Sequence, residues 1–186
     1  MPKLKDQKVP RELFSLAEIH ALLLQGEPRK ALRRLLTQDG SLRAGHFGDR
    51  NHAWYCAGCA YFDLGEYERA RSAFRKALRS DPSDVECLLA IGNCYDAEER
   101  PKLAERTFRR ALALDPDSET EAKLYLNLAN ALFDQKRDSE AIVLYEKLKR
   151  RRDVVGDRAR SNLVRVRRRL GESIRVVARK QSPLGD

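Results

Sequence analysis

The feature that most narrows the folds open to this chain is a pattern that returns after 34 residues. From Asn51 to Asp84 the chain carries Trp54, Gly58, Tyr61, Ala70, Phe74, Ala77 and Pro82. A shift of 34 puts Leu88, Gly92, Tyr95, Ala104, Phe108, Ala111 and Pro116 in the same places. A fixed period of this length marks stacked supersecondary units, each of which buries its apolar side only against its neighbours. Ala, Glu, Leu, Lys and Arg supply 98 of the 186 residues, above the roughly 50% that marks long or repetitive helical chains. The units are therefore helical, and an all-β domain is excluded.

The small residues of the pattern, Gly58, Gly92, Ala70, Ala104, Ala77 and Ala111, stand where two antiparallel helices approach closely, and the large ones fill the gaps between turns. With its W-x2-L-G-x2-Y, A-x3-F and Pro positions the pattern resembles the tetratricopeptide repeat (TPR) family. The unit at Asn51 departs only where Ala57 replaces a larger aliphatic residue, and the unit at Val85 only by Leu88 for Trp. A third unit starts at Ala122, three residues late, with Tyr125, Leu128, Ala129, Leu132, Ala141, Tyr145 and Leu148 in register and no Pro. A divergent unit opens near Glu12, where Gly26 matches Gly65, Ala31 matches Ala70, and Pro28 opens a second helix as Pro101 does.

The resemblance implies an all-α fold, a right-handed superhelical array of antiparallel helix pairs (a TPR solenoid) with a C-terminal capping helix. The expected organisation is a tail over 1–11, a divergent pair plus loop over 12–50, and repeats over 51–84, 85–118 and 122–155. A basic capping helix over 156–180 and a disordered tail over 181–186 complete it. Gly40, Gly45 and Gly48 mark a loop about five residues longer than the repeat requires. In the last helix Ala159, Leu163, Val166, Leu170, Ile174 and Val177 line one face and arginines the other, so it covers the last repeat's apolar side, or breaks into a pair at Gly171-Glu172.

The residues argue for no catalytic set. Cys56-Ala57-Gly58-Cys59 is formally C-x-x-C but lies inside a repeat's first helix, without the βαβ context of a redox site. Cys87 and Cys94 are seven apart with no histidine beside them. The cysteines read as structural or free thiols, with no metal and no cofactor expected. His20, His46 and His52 have no Ser or Cys partner in a recognisable nucleophile motif. The Gly40–Gly48 loop lacks the strand and Lys-Ser/Thr of a phosphate loop. The chain is expected to be no enzyme.

In the family that the chain resembles, the first helices of successive units line a concave groove that holds a partner peptide, contacting it at fixed positions. Carried over, these are His52, Tyr55, Cys56, Cys59, Phe62 and Asp63; then Glu86, Leu89, Asn93, Asp96 and Ala97; then Lys123, Leu126, Asn127, Asn130, Phe133 and Asp134. The divergent unit adds Leu16, His20, Leu23 and Leu24. Tyr55, Leu89, Leu126, Phe62 and Phe133 are apolar at positions the fold does not need to bury. Asn93, Asn127 and Asn130 offer both donor and acceptor to a peptide backbone. The carboxylate clamp of heat-shock co-chaperones is not reproduced. A register from Asn51 places Tyr55, Cys59, Ala90, Lys123 and Asn127 at the clamp positions, and one from Val85 places Leu89, Asn93, Asn127, Asp157 and Ser161 there. The expected trough is mildly acidic and partly apolar, and the expected role is a non-enzymatic adaptor, scaffold or chaperone-like module.

Charge supplies the competing reading. To Glu146 the chain balances 23 Lys and Arg against 24 Asp and Glu, whereas from Lys147 to Lys180 it sets 14 against 3. Arg160, Arg167 and Arg168 within this basic helix could associate with nucleic acid or ribosomes, although no aromatic is interleaved to stack bases. No stretch reaches the ~18 apolar residues of a membrane span. Met1 to Arg11 has no apolar core of a secretory signal, so a cytoplasmic location and no membrane insertion are expected.

Overall fold

The computed structural model describes residues 15–43 and 49–181, with side chains as far as Gly171. His46, the tail over 1–11, the onset of the divergent unit near Glu12 and residues 182–186 lie outside the described residues. The described chain is all-α, with one isolated bridge between Leu36 and Leu42. It divides into two compact units, Met1–Pro82 and Ser83–Asp186.

The first unit holds α1 (Leu16–Leu24), α2 (Pro28–Leu35), α3 (Arg50–Asp63) and α4 (Tyr67–Leu78). Ser15 and Glu18 form a reciprocal capping box at the start of α1, and the Asp49 carboxylate accepts from the His52 N–H (3.1 Å) at the start of α3. Gly26 and Gly65 turn each pair with φ of 71° and 74°, a conformation costly for any residue with a Cβ. A Cβ on Gly58 would meet the Phe74 ring at 2.4 Å, which is the physical reason for glycine where α3 crosses α4. After α2 the described part of the long loop folds back, with Leu42 buried.

The second unit holds α5 (Val85–Ala97), α6 (Pro101–Leu112), α7 (Ser118–Asp134), α8 (Asp138–Leu148) and α9 (Val154–Gln181). Asp84 and Asp117 cap α5 and α7 through their carboxylates. Its pairs turn at Glu99 (φ 56°) and Lys136 (φ 62°), which take the left-handed conformation without being glycine. Gly92 meets Phe108 as Gly58 meets Phe74, with 2.2 Å for an added Cβ. At the matching positions the third repeat carries Ala129 and Tyr145, both buried. Its three extra residues are absorbed as helix, since α7 has 17 residues against 13 in α5. α9 runs unbroken through Gly171-Glu172 and packs on α8 and α7 through Ala159, Leu163 and Val166, all buried. The side chains of Ile174 and Val177 lie outside the described residues.

Candidate functional site

In the second unit α5, α7 and α9 lie side by side, so the first helices of successive pairs present one surface. Asn127 Nδ2 donates to Asn93 Oδ1 (2.8 Å) across α5 and α7, and the Thr120 hydroxyl donates to Glu86 (3.5 Å) one face-turn away. The Asn pair uses one donor and one acceptor, so each amide keeps hydrogen-bonding capacity beyond this bond. Leu89 is half-buried beside them. Lys123 is held by Glu119 (2.7 Å), and that hydrogen bond raises its pKa ahead of the nearby carboxylates Glu119, Glu86 and Asp117.

Farther along, Asp96, Asn130, Phe133, Asp134, Tyr145, Asn162 and Arg165 line a notch of about 210 Å³. Asp96 and Asp134 are exposed as residues, yet both pKa values are raised. Loss of hydration is the main cause at each, the Asp134 charge adds to it at Asp96, and Arg169 and Arg165 oppose it at Asp134. The notch thus sets two carboxylates beside Arg165, with the Phe133 ring beneath the Arg169 guanidinium at 3.5 Å.

One expected contact residue of this unit is corrected here. Leu126 is buried, 3% exposed, because α7 has α5, α6, α8 and α9 packed around it and leaves little of its circumference open. Asn130 lines the notch, and its Oδ1 accepts from the Tyr145 hydroxyl (2.8 Å) and from Asn162 Nδ2 (2.8 Å). Burial is the main cause that raises the Tyr145 hydroxyl pKa, keeping it a donor. Asn162 and Arg165 of α9 were missed because the helix read as a cap. A legible signal existed in Asn162, an amide set among the arginines of that helix.

The basic side chains are largely engaged within the fold. Arg160 bonds the carbonyls of Lys149 (2.6 Å) and Arg151 (3.1 Å) and the Asp157 carboxylate. Arg167 pairs with Glu146 (2.6 Å), and Arg169 ties Asp138 to the Phe133 carbonyl. Arg168 is exposed and also has an interaction of its own.

In the first unit Tyr55 is half-buried against Phe74, and Phe62 against Tyr67, with ring centres 5.6 and 5.4 Å apart. Cys59 is half-buried. His20, His52 and Cys56 bring their donor atoms within 4.8 Å of one another. His20 stands 32 residues before His52, a separation over which no local motif operates. Burial, and secondarily Cys59, pushes the Cys56 thiol up to about 12.

Family models of the tetratricopeptide repeat match residues 55–119 and 122–158. This chain is a TPR protein. Such repeats are interaction modules, and among the described residues no helix is long and apolar enough to cross a membrane. The TPR chain is 36% identical over 89 residues to the type IV pilus assembly protein PilF of Pseudomonas aeruginosa, covering 48% of this chain and 34% of that one. It is 32% identical over 71 residues to tetratricopeptide repeat protein 37 of Xenopus laevis, covering 38% of this chain and 4% of that one. The TPR chain thus spans about a third of the first relative and a small part of the second. A solved structure of the first TPR of Spaghetti (RPAP3), bound to the HSP90 peptide SRMEEVD, superposes with a TM-score of 0.58 at 21% identity. It covers 66% of this chain and 94% of that one.

Proposed function

We propose that this chain is a non-enzymatic adaptor that holds a segment of a partner protein on the α5–α7–α9 surface. The Asn93–Asn127 pair grips the segment's backbone, and the Asp96–Asp134 notch receives a basic side chain. The observation that carries the reading is the bridged Asn pair on the same surface as a notch lined by the Asp96 and Asp134 carboxylates. Amides that keep donor and acceptor capacity suit an extended backbone of any side-chain sequence, and a pair of carboxylates suits a cation. The peptide held by the Spaghetti repeat supports a peptide as ligand for this fold. That peptide is acidic, and the acidic notch favours the opposite charge here.

The rival role, nucleic-acid association through the basic helix, loses support because Arg160 and Arg167 are spent on α8 and the turn after it. Affinity capture from a native extract, with mass spectrometry and with or without nuclease, separates the two. Wild type should retain a defined protein after nuclease, and Asn93→Ala with Asn127→Ala should lose it. Neither Asn is buried, so unfolding stability should fall by no more than about 1 kcal/mol. Capture that vanishes with nuclease, or survives the double change, sinks the proposal.

A further inference from the structure

We infer that His20, His52 and Cys56 form a binding site for a zinc-class divalent cation that clips α1 to α3 in the first unit. Two helices supply it. His52 lies in the first turn of α3, which Asp49 caps, and Cys56 follows four residues later on the same face. His20 comes from α1, and its ring meets that of His52 edge to edge, with centroids 4.8 Å apart and planes 11° from parallel. The two Nε2 atoms face each other at 2.6 Å. All three donor atoms lie within 4.8 Å of one another. In a tetrahedral zinc site, with bonds of about 2.0–2.3 Å, ligand atoms stand about 3.3–3.7 Å apart. A shift of about 1 Å or less per ligand brings the donor spacing into that range, and each imidazole turns so that its Nε2 lone pair meets the metal.

The chemistry selects the cation. Two imidazoles and a thiolate suit zinc and its first-row neighbours, whereas calcium and magnesium require oxygen ligands that this set lacks. The metal has a path in, because His20 is exposed and both histidines edge an open cavity of about 400 Å³ with Leu16 and Leu24. That opening leaves a fourth position for water. On binding, the Cys56 thiol gives its proton to solvent and both imidazoles bind through a lone pair. The consequence falls on α1. It has nine residues with only Ile19 buried, shorter than the roughly 12–15 that an isolated helix needs. A metal shared with α3 anchors it across the glycine loop, independently of any partner held by the second unit.

The test is titration of the reduced full-length chain with cobalt(II) as the spectroscopic probe, followed by zinc competition. The expected result is one cobalt per chain with a thiolate-to-cobalt charge-transfer band that zinc abolishes, and a zinc-dependent rise in melting temperature. His20→Ala, at an exposed position where folding is not at risk, should weaken binding about tenfold or more and remove the zinc-dependent rise. Cys56→Ser should lose the band, and Cys59→Ser should keep it. Absence of saturable cobalt binding, wild-type affinity in His20→Ala, or equal loss in Cys59→Ser and Cys56→Ser would each overturn the inference.

Discussion

The two units are built by the same repeat and differ in what they do with the positions that the repeat leaves open. The first turns its pairs on Gly26 and Gly65, the second on Glu99 and Lys136 at comparable positive φ. The first lines its leading helices with His20, His52, Tyr55 and Phe62; the second lines them with Asn93, Asn127, Asp96 and Asp134. Close helix crossing at Gly58 and Gly92 is shared. The scaffold is thus specified by a few small and aromatic residues, and chemistry varies around them without disturbing the stack.

The largest effect should come from the shared contact. Gly92→Leu drives a side chain into the Phe108 ring, where even a Cβ has 2.2 Å, and should cost about 3 kcal/mol in chemical denaturation. Ala129→Gly, at the matching position of the third repeat, should cost only about 1 kcal/mol. Similar losses at the two sites would show that the third repeat packs as the others do.

A smaller effect should separate the turns. Gly65→Ala forces a Cβ into the left-handed conformation and should lose about 1 kcal/mol. Lys136→Gly should gain up to about 0.5 kcal/mol, because it relieves the same strain but adds freedom to the unfolded chain. A loss for Lys136→Gly would mean that the second unit's turn depends on the side chain itself.

The smallest effect belongs to the exposed acids. A carboxylate whose folded pKa is raised stabilises the fold below its unfolded value near pH ~3.9, and that contribution is lost as pH rises through the folded value. Asp96→Asn with Asp134→Asn should therefore raise the melting temperature at neutral pH, with the gain over wild type shrinking toward acid. The same variant should weaken capture of a basic peptide. A lower melting temperature at neutral pH would mean that Arg165 and Arg169 already neutralise the notch.

Much of the fold was legible because its causes are local. The period, the prolines opening α2 and α6, and the small residues at Gly58 and Gly92 are all written within one helix pair. The site was legible only as a set of positions. Asn93 and Asn127 do lie on the open surface, but the bond between them and the bonds that Asn130 accepts from Tyr145 and Asn162 depend on where whole helices come to rest.

By itself the sequence determined that this is a helical repeat of the TPR family, with its turns and tight crossings, since each of these follows from spacing within 34 residues. Only the tertiary structure decided that α9 packs on α7 as well as on α8, that Leu126 is buried, and that His20 meets His52 and Cys56. The physical reason is that stacking chooses each helix's lateral neighbours. Such contacts join residues 32 or 34 apart in the chain, a separation at which side-chain pattern specifies which face is buried but not which side chain stands opposite.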